Sequence, residues 1–503
     1  METGNVMLSW PASLRAPREE IPRNSFGEGA SPVMKLLLTG ATGFVGRHLL
    51  RRLLVDGHQL AALSRDPVAA AGRLPRPVSV FRWDALAGLP PAEALQGLDG
   101  VIHLAGESIA GVRWNPARKR LLADSRVGAT ERLMVALRER ARPGPRVVIA
   151  SSGIGYYGDR GDEVLHEGAV SGTDFLARLC AGWEAALAGG APEGTRTVSL
   201  RTGMVLGPDG GALAHLLPLF RAGLGGVLGS GRQWVSWIHV DDLVSLIVHA
   251  LHTESLRGPV NAVSSEPVRN RDFTRELARA LHRPALFRVP SLALRLGVGQ
   301  LAAALTGGQR ARPERAQASG FALRHPELRG ALADLCADAA AGLARFDVEQ
   351  WLPTQPEEVF PFFLDPANLE ALTPPWLHFR LRGVSTETIA PGTLIDYALR
   401  LHGLPVRWRT RIEAVEPPRR FSDLQLKGPY AQWRHEHRFD PAAGGTLARD
   451  IVRYRLPLGP LGALLAGRWV RRDLARIFAY RRRQLAARFG EGREPLAAWM
   501  TDT

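Results

Sequence analysis

Eight residues, Thr39-Gly40-Ala41-Thr42-Gly43-Phe44-Val45-Gly46, follow a short apolar run at 35–39 and open a helix-length stretch at 45–56. Three glycines between a strand and a helix constrain the chain strongly, because each permits something a side chain prevents. Gly40 and Gly43 let the backbone turn and approach a pyrophosphate, and Gly46 lets the helix pack closely on the strand. The helix N-terminus, with Thr42, Phe44 and Val45 around it, then offers unsatisfied N–H donors to an anion. Further apolar runs at 60–64, 78–83, 101–105 and 147–151 alternate with helix-length segments. That alternation predicts a Rossmann-like, doubly wound parallel α/β sheet covered on both faces. Later strands are expected at 197–202 and 259–263, and helices at 241–252 and 272–281, each helix with an acid near its start.

The end of the second strand discriminates between dinucleotides. A carboxylate there would accept from a ribose 2′-hydroxyl, whereas a 2′-phosphate needs an arginine and a small hydroxyl. The chain supplies Ser64 and Arg65, so NADP(H) is the expected cofactor, with Asp66 a turn residue beside them. Asp84 falls where an acid could meet the adenine amino group, and Leu104, Ala105 and Gly106 end the fourth strand beside the cofactor.

A length of 503 residues exceeds one compact core and predicts two domains. The formal charge of +15 is spread along the chain, with +5 of it from Phe346 onward, so no nucleic-acid face is expected. Cys180 and Cys336 fit no metal or redox spacing, which suits a reducing cytoplasm. No run approaches the roughly 18 apolar residues of a membrane span. Residues 1–32 lack the apolar core of a signal peptide and read as a disordered leader. The α/β domain is expected over 33–337, an Ala/Gly linker over 338–345, a second domain over 346–489 and a tail over 490–503.

The second domain changes rhythm. One strand, two short helical pieces, a set of Gly- and Pro-broken strands with period-2 alternation, and a closing helix over 464–489 make an α+β unit. Leu465, Trp469, Leu474, Ile477, Arg481 and Leu485 trace an approximate stripe on that helix. Its arginines 471, 472, 476, 481, 482 and 483 suggest either a contact with a membrane surface or acidic partner or, as the favoured reading, a solvated helix face. Trp433, His435, His437 and Phe439 share one face of an alternating strand. His-x-His spacing shows no third ligand, so the pair reads as a mixed polar and aromatic pocket wall and no metal is expected.

Several segments together carry a resemblance. They are His103-Leu104-Ala105-Gly106-Glu107, Ser125-Arg126, Ser151-Ser152-Gly153-Ile154-Gly155-Tyr156-Tyr157-Gly158, Trp183-Glu184, Arg201-Thr202-Gly203-Met204-Val205-Leu206-Gly207 and Trp237-Ile238-His239-Val240-Asp241-Asp242. With the glycine turn, they make the first domain resemble the atypical, epimerase-like branch of the extended short-chain dehydrogenase/reductases. The second domain resembles the START-like (SRPBCC, cyclase/dehydrase-like) helix-grip superfamily through Phe360-Pro361-Phe362-Phe363, Asn368 to Trp376, Gly392 to Tyr397 and Gly428-Pro429-Tyr430. That resemblance implies an apolar cavity for a hydrophobic ligand.

One departure bears on chemistry. Where the reductases carry Tyr-x-x-x-Lys, this chain reads Phe175-Leu176-Ala177-Arg178-Leu179-Cys180-Ala181-Gly182-Trp183-Glu184. Neither the proton-transferring phenol nor the lysine that lowers its pKa is present. Tyr157 and Ser152 are the candidate catalytic substitutes, and Cys180 reads as a small buried thiol. Glu107, Arg113, Arg126 and Arg201 are candidates for the substrate pocket. The implied activity is an NADP(H)-dependent oxidoreductase or epimerase acting on a small carbonyl or hydroxyl compound. The alternative is a non-catalytic NADP(H)-sensing or lipid/ligand-binding protein.

Overall fold

The computed structural model describes residues 32–109 and 113–490. All but the last residue of the expected leader and all but the first of the expected tail lie outside the described residues. Seven strands form the first sheet: β1 (Lys35–Thr39), β2 (Gln59–Ser64), β3 (Ser79–Arg82), β4 (Gly100–His103), β5 (Val147–Gly153), β6 (Arg196–Thr202) and β7 (Gly258–Ala262). Their spatial order is β7-β6-β5-β4-β1-β2-β3, and every neighbouring pair is parallel. Strand order reverses between β1 and β4, which opens a crevice at the carboxyl ends where such sheets bind ligands.

Helices α1 (Phe44–Val55), α2 (Ala129–Arg140), α3 (Phe175–Gly190), α4 (Val240–His252) and α5 (Leu328–Ala340) belong to this domain. Strands β1, β2, β4 and β5 read as nearly continuous apolar runs because both faces are covered. Leu36 and Leu38 pack with the α1 and α4 leucines on one side, and Leu37 with Leu133, Met134 and Leu137 of α2 on the other.

The expected linker contracts to three residues. Helix α5 runs to Ala340 and the next strand begins at Ala344, because Leu328, Leu332, Leu335 and Cys336 bury one face of α5 against the first domain. Alanine here is a helix former rather than a marker of flexibility.

The second sheet comprises β8 (Ala344–Leu352), β9 (Arg380–Val384), β10 (Leu394–Leu401), β11 (Leu404–Glu416), β12 (Arg420–Lys427), β13 (Gln432–Ala442) and β14 (Gly445–Arg455), ordered β8-β14-β13-β12-β11-β10-β9 and antiparallel throughout. Helix α6 (Pro460–Phe489) lies across it, completing a helix grip. Its buried residues are Gly462, Leu474, Phe478, Arg481, Arg482 and Leu485.

Two expectations for α6 are thereby corrected. Leu465 and Trp469 are 69% and 73% exposed, because Ala466 and Val470, one residue on in each case, take the core-facing positions of these turns. Arg481 and Arg482 are not solvated: Arg481 stands 3.8 Å from Asp450 on the inner face of the sheet, and the Arg482 carbonyl accepts from Gln350. The two domains meet through Arg51 of α1, which pairs with Glu349 of β8 at 2.5 Å, and through the Ala443 N–H bonded to the Leu54 carbonyl. Among the described residues, no helix is long and apolar enough to cross a membrane.

Candidate dinucleotide cleft and the polar network beside it

A cleft of about 420 Å³ opens at the switch point between β1 and β4. Gly40 shows why its residue type is required: its φ is +71°, and a Cβ would lie 2.8 Å from the Leu104 carbonyl carbon. Gly46 sits behind the turn, where a Cβ would stand 2.1 Å from the Gly40 oxygen, so its absence sets the distance between α1 and β1. No side chain caps α1 at Gly43. The first N–H groups of the helix therefore remain available to an anion. Gly40, Thr42 and Gly43 line the cleft, whereas Phe44 and Val45 do not. The Phe44 ring instead fills the space left by Gly207, Gly210 and Gly211, and Val45 packs against the core.

Ser64, Arg65, Asp84, Leu104, Ala105 and Gly106 all line the same cleft. Asp66 is occupied as the N-cap of a one-turn helix, Pro67–Ala71, accepting the Ala69 N–H at 2.9 Å. That turn folds the chain back and brings Arg73 to the cleft beside Arg65. Neither arginine is ion-paired among the described residues, so two unneutralised guanidiniums stand at the rim with the Ser64 hydroxyl. Arg73 was not among the residues expected from sequence. The floor is fixed by Thr39, whose hydroxyl meets Nδ1 of His103 at 2.7 Å and accepts the Ala105 N–H at 3.1 Å. Burial lowers His103 to about 4, leaving it a neutral pin between strands.

Beyond the cleft, β5 ends at Ser151, Ser152 and Gly153. Helix α3 turns Cys180 and Glu184 toward this end, four residues apart, the spacing of the absent Tyr and Lys. The Ser152 hydroxyl donates to Glu184 at 2.8 Å. Arg201 of β6 grips the same carboxylate with Nε at 2.9 Å and an η nitrogen at 2.7 Å. Its other η nitrogen donates to the Tyr157 hydroxyl and the Glu167 carbonyl, each at 3.0 Å. Burial pushes the Cys180 thiol up to about 11, with Glu184 adding to the shift, so it is not a nucleophile at neutral pH.

This network corrects the expectation for Tyr157. The side chain is wholly buried, and its hydroxyl donates to Asn261 at 2.7 Å while accepting from Arg201. Burial also raises its pKa. A short helical turn, Ile154–Tyr157, rotates the ring into a core with Leu165, Val263 and Ala311 rather than toward the cleft. Tyr157→Phe is expected to cost about 1–2 kcal/mol of stability, as a buried hydrogen-bond partner is lost, while dinucleotide affinity measured by calorimetry stays unchanged.

The residues expected around a substrate separate into two groups. Glu107 lines the cleft and pairs with Arg118 at 3.0 Å. A π-helical turn, Asp124–Gly128, presents Ser125 and Arg126 to the same region. The Ser125 hydroxyl accepts the Glu107 N–H, and Arg126 donates to the Glu107 carbonyl at 2.9 Å. Arg113 is exposed and lies near Gly299, away from the cleft, and Arg201 is committed to the network described above.

A parallel sheet with a glycine cradle at its switch point and a serine–carboxylate pair at the end of β5 defines a dinucleotide-binding protein of the extended short-chain dehydrogenase/reductase class, here joined to a helix-grip domain. Residues 36–262 match the NAD dependent epimerase/dehydratase family, 289–335 a domain of unknown function (DUF1731), and 344–490 the polyketide cyclase / dehydrase and lipid transport family. The chain is 37% identical over 306 residues to the chloroplastic epimerase family protein SDR39U1 homolog of Arabidopsis thaliana, covering 59% of this chain and 86% of that protein. It is 36% identical over 310 residues to epimerase family protein SDR39U1 of Homo sapiens, covering 60% and 100%. A crystal structure of human SDR39U1 (isoform2) with NADPH superposes with a TM-score of 0.54 at 34% identity, over 60% of this chain and 99% of that one. The chain belongs to the SDR39U1-like epimerase family.

Proposed function

We propose that the first domain is an NADP(H)-dependent oxidoreductase or epimerase acting on a small hydroxyl or carbonyl compound in the cytoplasm, and that the helix-grip domain holds a hydrophobic ligand. The observation that carries the cofactor is the rim of Ser64, Arg65 and Arg73 beside an uncapped helix, which supplies cations and a hydroxyl for a 2′-phosphate and N–H donors for a pyrophosphate. The human relative crystallised with NADPH supports the same reading. When bound, the nicotinamide supplies a hydride donor or acceptor.

Proton transfer falls to Ser152 and Glu184. In this reading Ser152 takes the proton of a substrate hydroxyl as it passes its own to Glu184, a transfer supported by the 2.8 Å hydrogen bond between them. Arg201 fixes the Glu184 carboxylate through two nitrogens, which keeps Oε1 within reach of the Ser152 hydroxyl. Glu107 and Arg126 bound the substrate side of the cleft and give it polar recognition.

The experiment is turnover by the full chain. Reduced-nicotinamide absorbance is followed with hydroxyl and carbonyl compounds, comparing the unsubstituted protein with Ser152→Ala. A loss of kcat of about 10²–10⁴-fold at unchanged NADPH affinity is expected. Turnover unaffected by the substitution removes the serine from the chemistry, and tight NADPH binding without any turnover favours the sensing alternative.

A further inference from the structure

The inner face of β12, β13 and β14 carries a cluster of ionisable side chains within an otherwise aromatic core. Asp423 of β12 stands across the ladder from His435 of β13, and Asp450 of β14 across from His437. Two adjacent cross-strand pairs thus place two carboxylates and two imidazoles on one face, beneath α6. One polar atom from each of Asp423, His435 and His437 lies within 4.8 Å of the others, and the two imidazole centroids are 3.9 Å apart.

Asp450 touches both rings, 3.0 Å from Nε2 of His435 and 2.7 Å from Nδ1 of His437. The first contact is a hydrogen bond; in the second, the buried His437 Nδ1 is out of line for one. Arg481 from α6 is 3.8 Å from Asp450 and gives that carboxylate a cation of its own. Asp423 is less well served. Among the described residues its one ion-pair contact is His435 Nδ1 at 3.9 Å, although only 15% of its side chain is exposed. The 3.9 Å separation of the secluded Asp423 carboxylate from His435 Nδ1 leaves space for a cation shared between them.

We infer that Asp423, His435 and His437 form a binding site for a divalent transition metal, zinc being the one their chemistry suits, inside the helix-grip domain. Two imidazoles and one carboxylate are a common donor set for zinc at about 2.0–2.2 Å. Atoms at that distance from one tetrahedral ion sit about 3.4 Å apart, so the 3.9 Å pair closes by roughly half an ångström. His435 then has Nδ1 on the ion and Nε2–H on Asp450, the arrangement by which an outer carboxylate orients a metal-bound imidazole. Arg481 balances Asp450 and keeps it in that outer role.

Three protein ligands leave a coordination position open. The surroundings are aromatic: Phe421 stacks on His437 at 4.2 Å and Phe478 lies 5.7 Å from His435. The open position therefore suits an oxygen of an otherwise apolar molecule, a carbonyl or carboxylate.

The test uses the tag-free full chain, stripped with chelator and titrated with Co(II) as a spectroscopic substitute for Zn(II), with metal content measured after dialysis. One ion per chain is expected, with the d–d absorbance of a four- or five-coordinate site. Asp423→Ala and His437→Ala are each expected to abolish retention with an unchanged circular dichroism spectrum, and Asp450→Asn to weaken it about 10–100-fold. Should a variant unfold, the unsubstituted chain decides alone. No stoichiometric ion, or only the spectrum of the hydrated ion, overturns the site, as does undiminished retention in folded Asp423→Ala and His437→Ala.

Discussion

Arg201→Leu should lower the stability of the first domain by about 3–5 kcal/mol, because it leaves a largely secluded carboxylate, 13% exposed, without its cation. Arg201 is 2% exposed, grips Glu184 through two nitrogens, bonds Tyr157 and Glu167, and lies 3.4 Å over the Tyr156 ring centroid. Among the described residues, Glu184 then keeps the Ser152 hydroxyl as its one side-chain partner. A loss of this size is distinguishable from a packing defect by the double variant. Glu184→Leu combined with Arg201→Leu removes both charges, and replacing a whole buried pair with apolar groups is often near neutral. The double variant should therefore be more stable than Arg201→Leu alone. Urea unfolding followed by tryptophan fluorescence checks this, and a single substitution costing under about 1 kcal/mol would show that water or a neighbour compensates Glu184.

The same residues show how far the sequence could be read. The glycine turn was legible because each glycine answers a local backbone demand, visible at Gly40 as a positive φ and at Gly46 as a contact with the turn's own oxygen. Ser64 and Arg65 were legible because they end a strand whose register is fixed by its apolar pattern. Arg73 was not, since its place depends on Asp66 capping a five-residue helix that bends the chain back. The Ser152, Glu184, Arg201 and Asn261 network joins β5, α3, β6 and β7, and linear spacing carries no signal of it. Tyr157 misled for a related reason: nearness in sequence to the end of β5 says nothing about which way the following turn rotates a ring. In the second domain His-x-His was visible, but its third partner enters only through the β12–β13 register that sets Asp423 opposite His435.

Reversing charge at the cleft rim should have the largest effect on binding. Arg65 and Arg73 line the cleft together with Ser64, and neither forms an ion pair with a carboxylate among the described residues. A charge-assisted hydrogen bond to phosphate contributes about 1.5–3 kcal/mol, and each 1.4 kcal/mol is a factor of ten. Arg65→Glu should weaken NADPH by about 10–100-fold, and the double variant with Arg73→Glu by about 10²–10⁴-fold. NADH, lacking the 2′-phosphate, should change far less, since the Gly40 turn and the α1 N-terminus, proposed above to meet the pyrophosphate, are untouched. Calorimetry with both nucleotides separates the cases. A parallel fall for NADH would mean that the substitutions disturb the cleft itself, and an unchanged NADPH affinity in the double variant would place the 2′-phosphate elsewhere. The fall should also shrink as salt rises, because the rim is exposed and screened over roughly a Debye length of 10 Å at 0.1 M ionic strength.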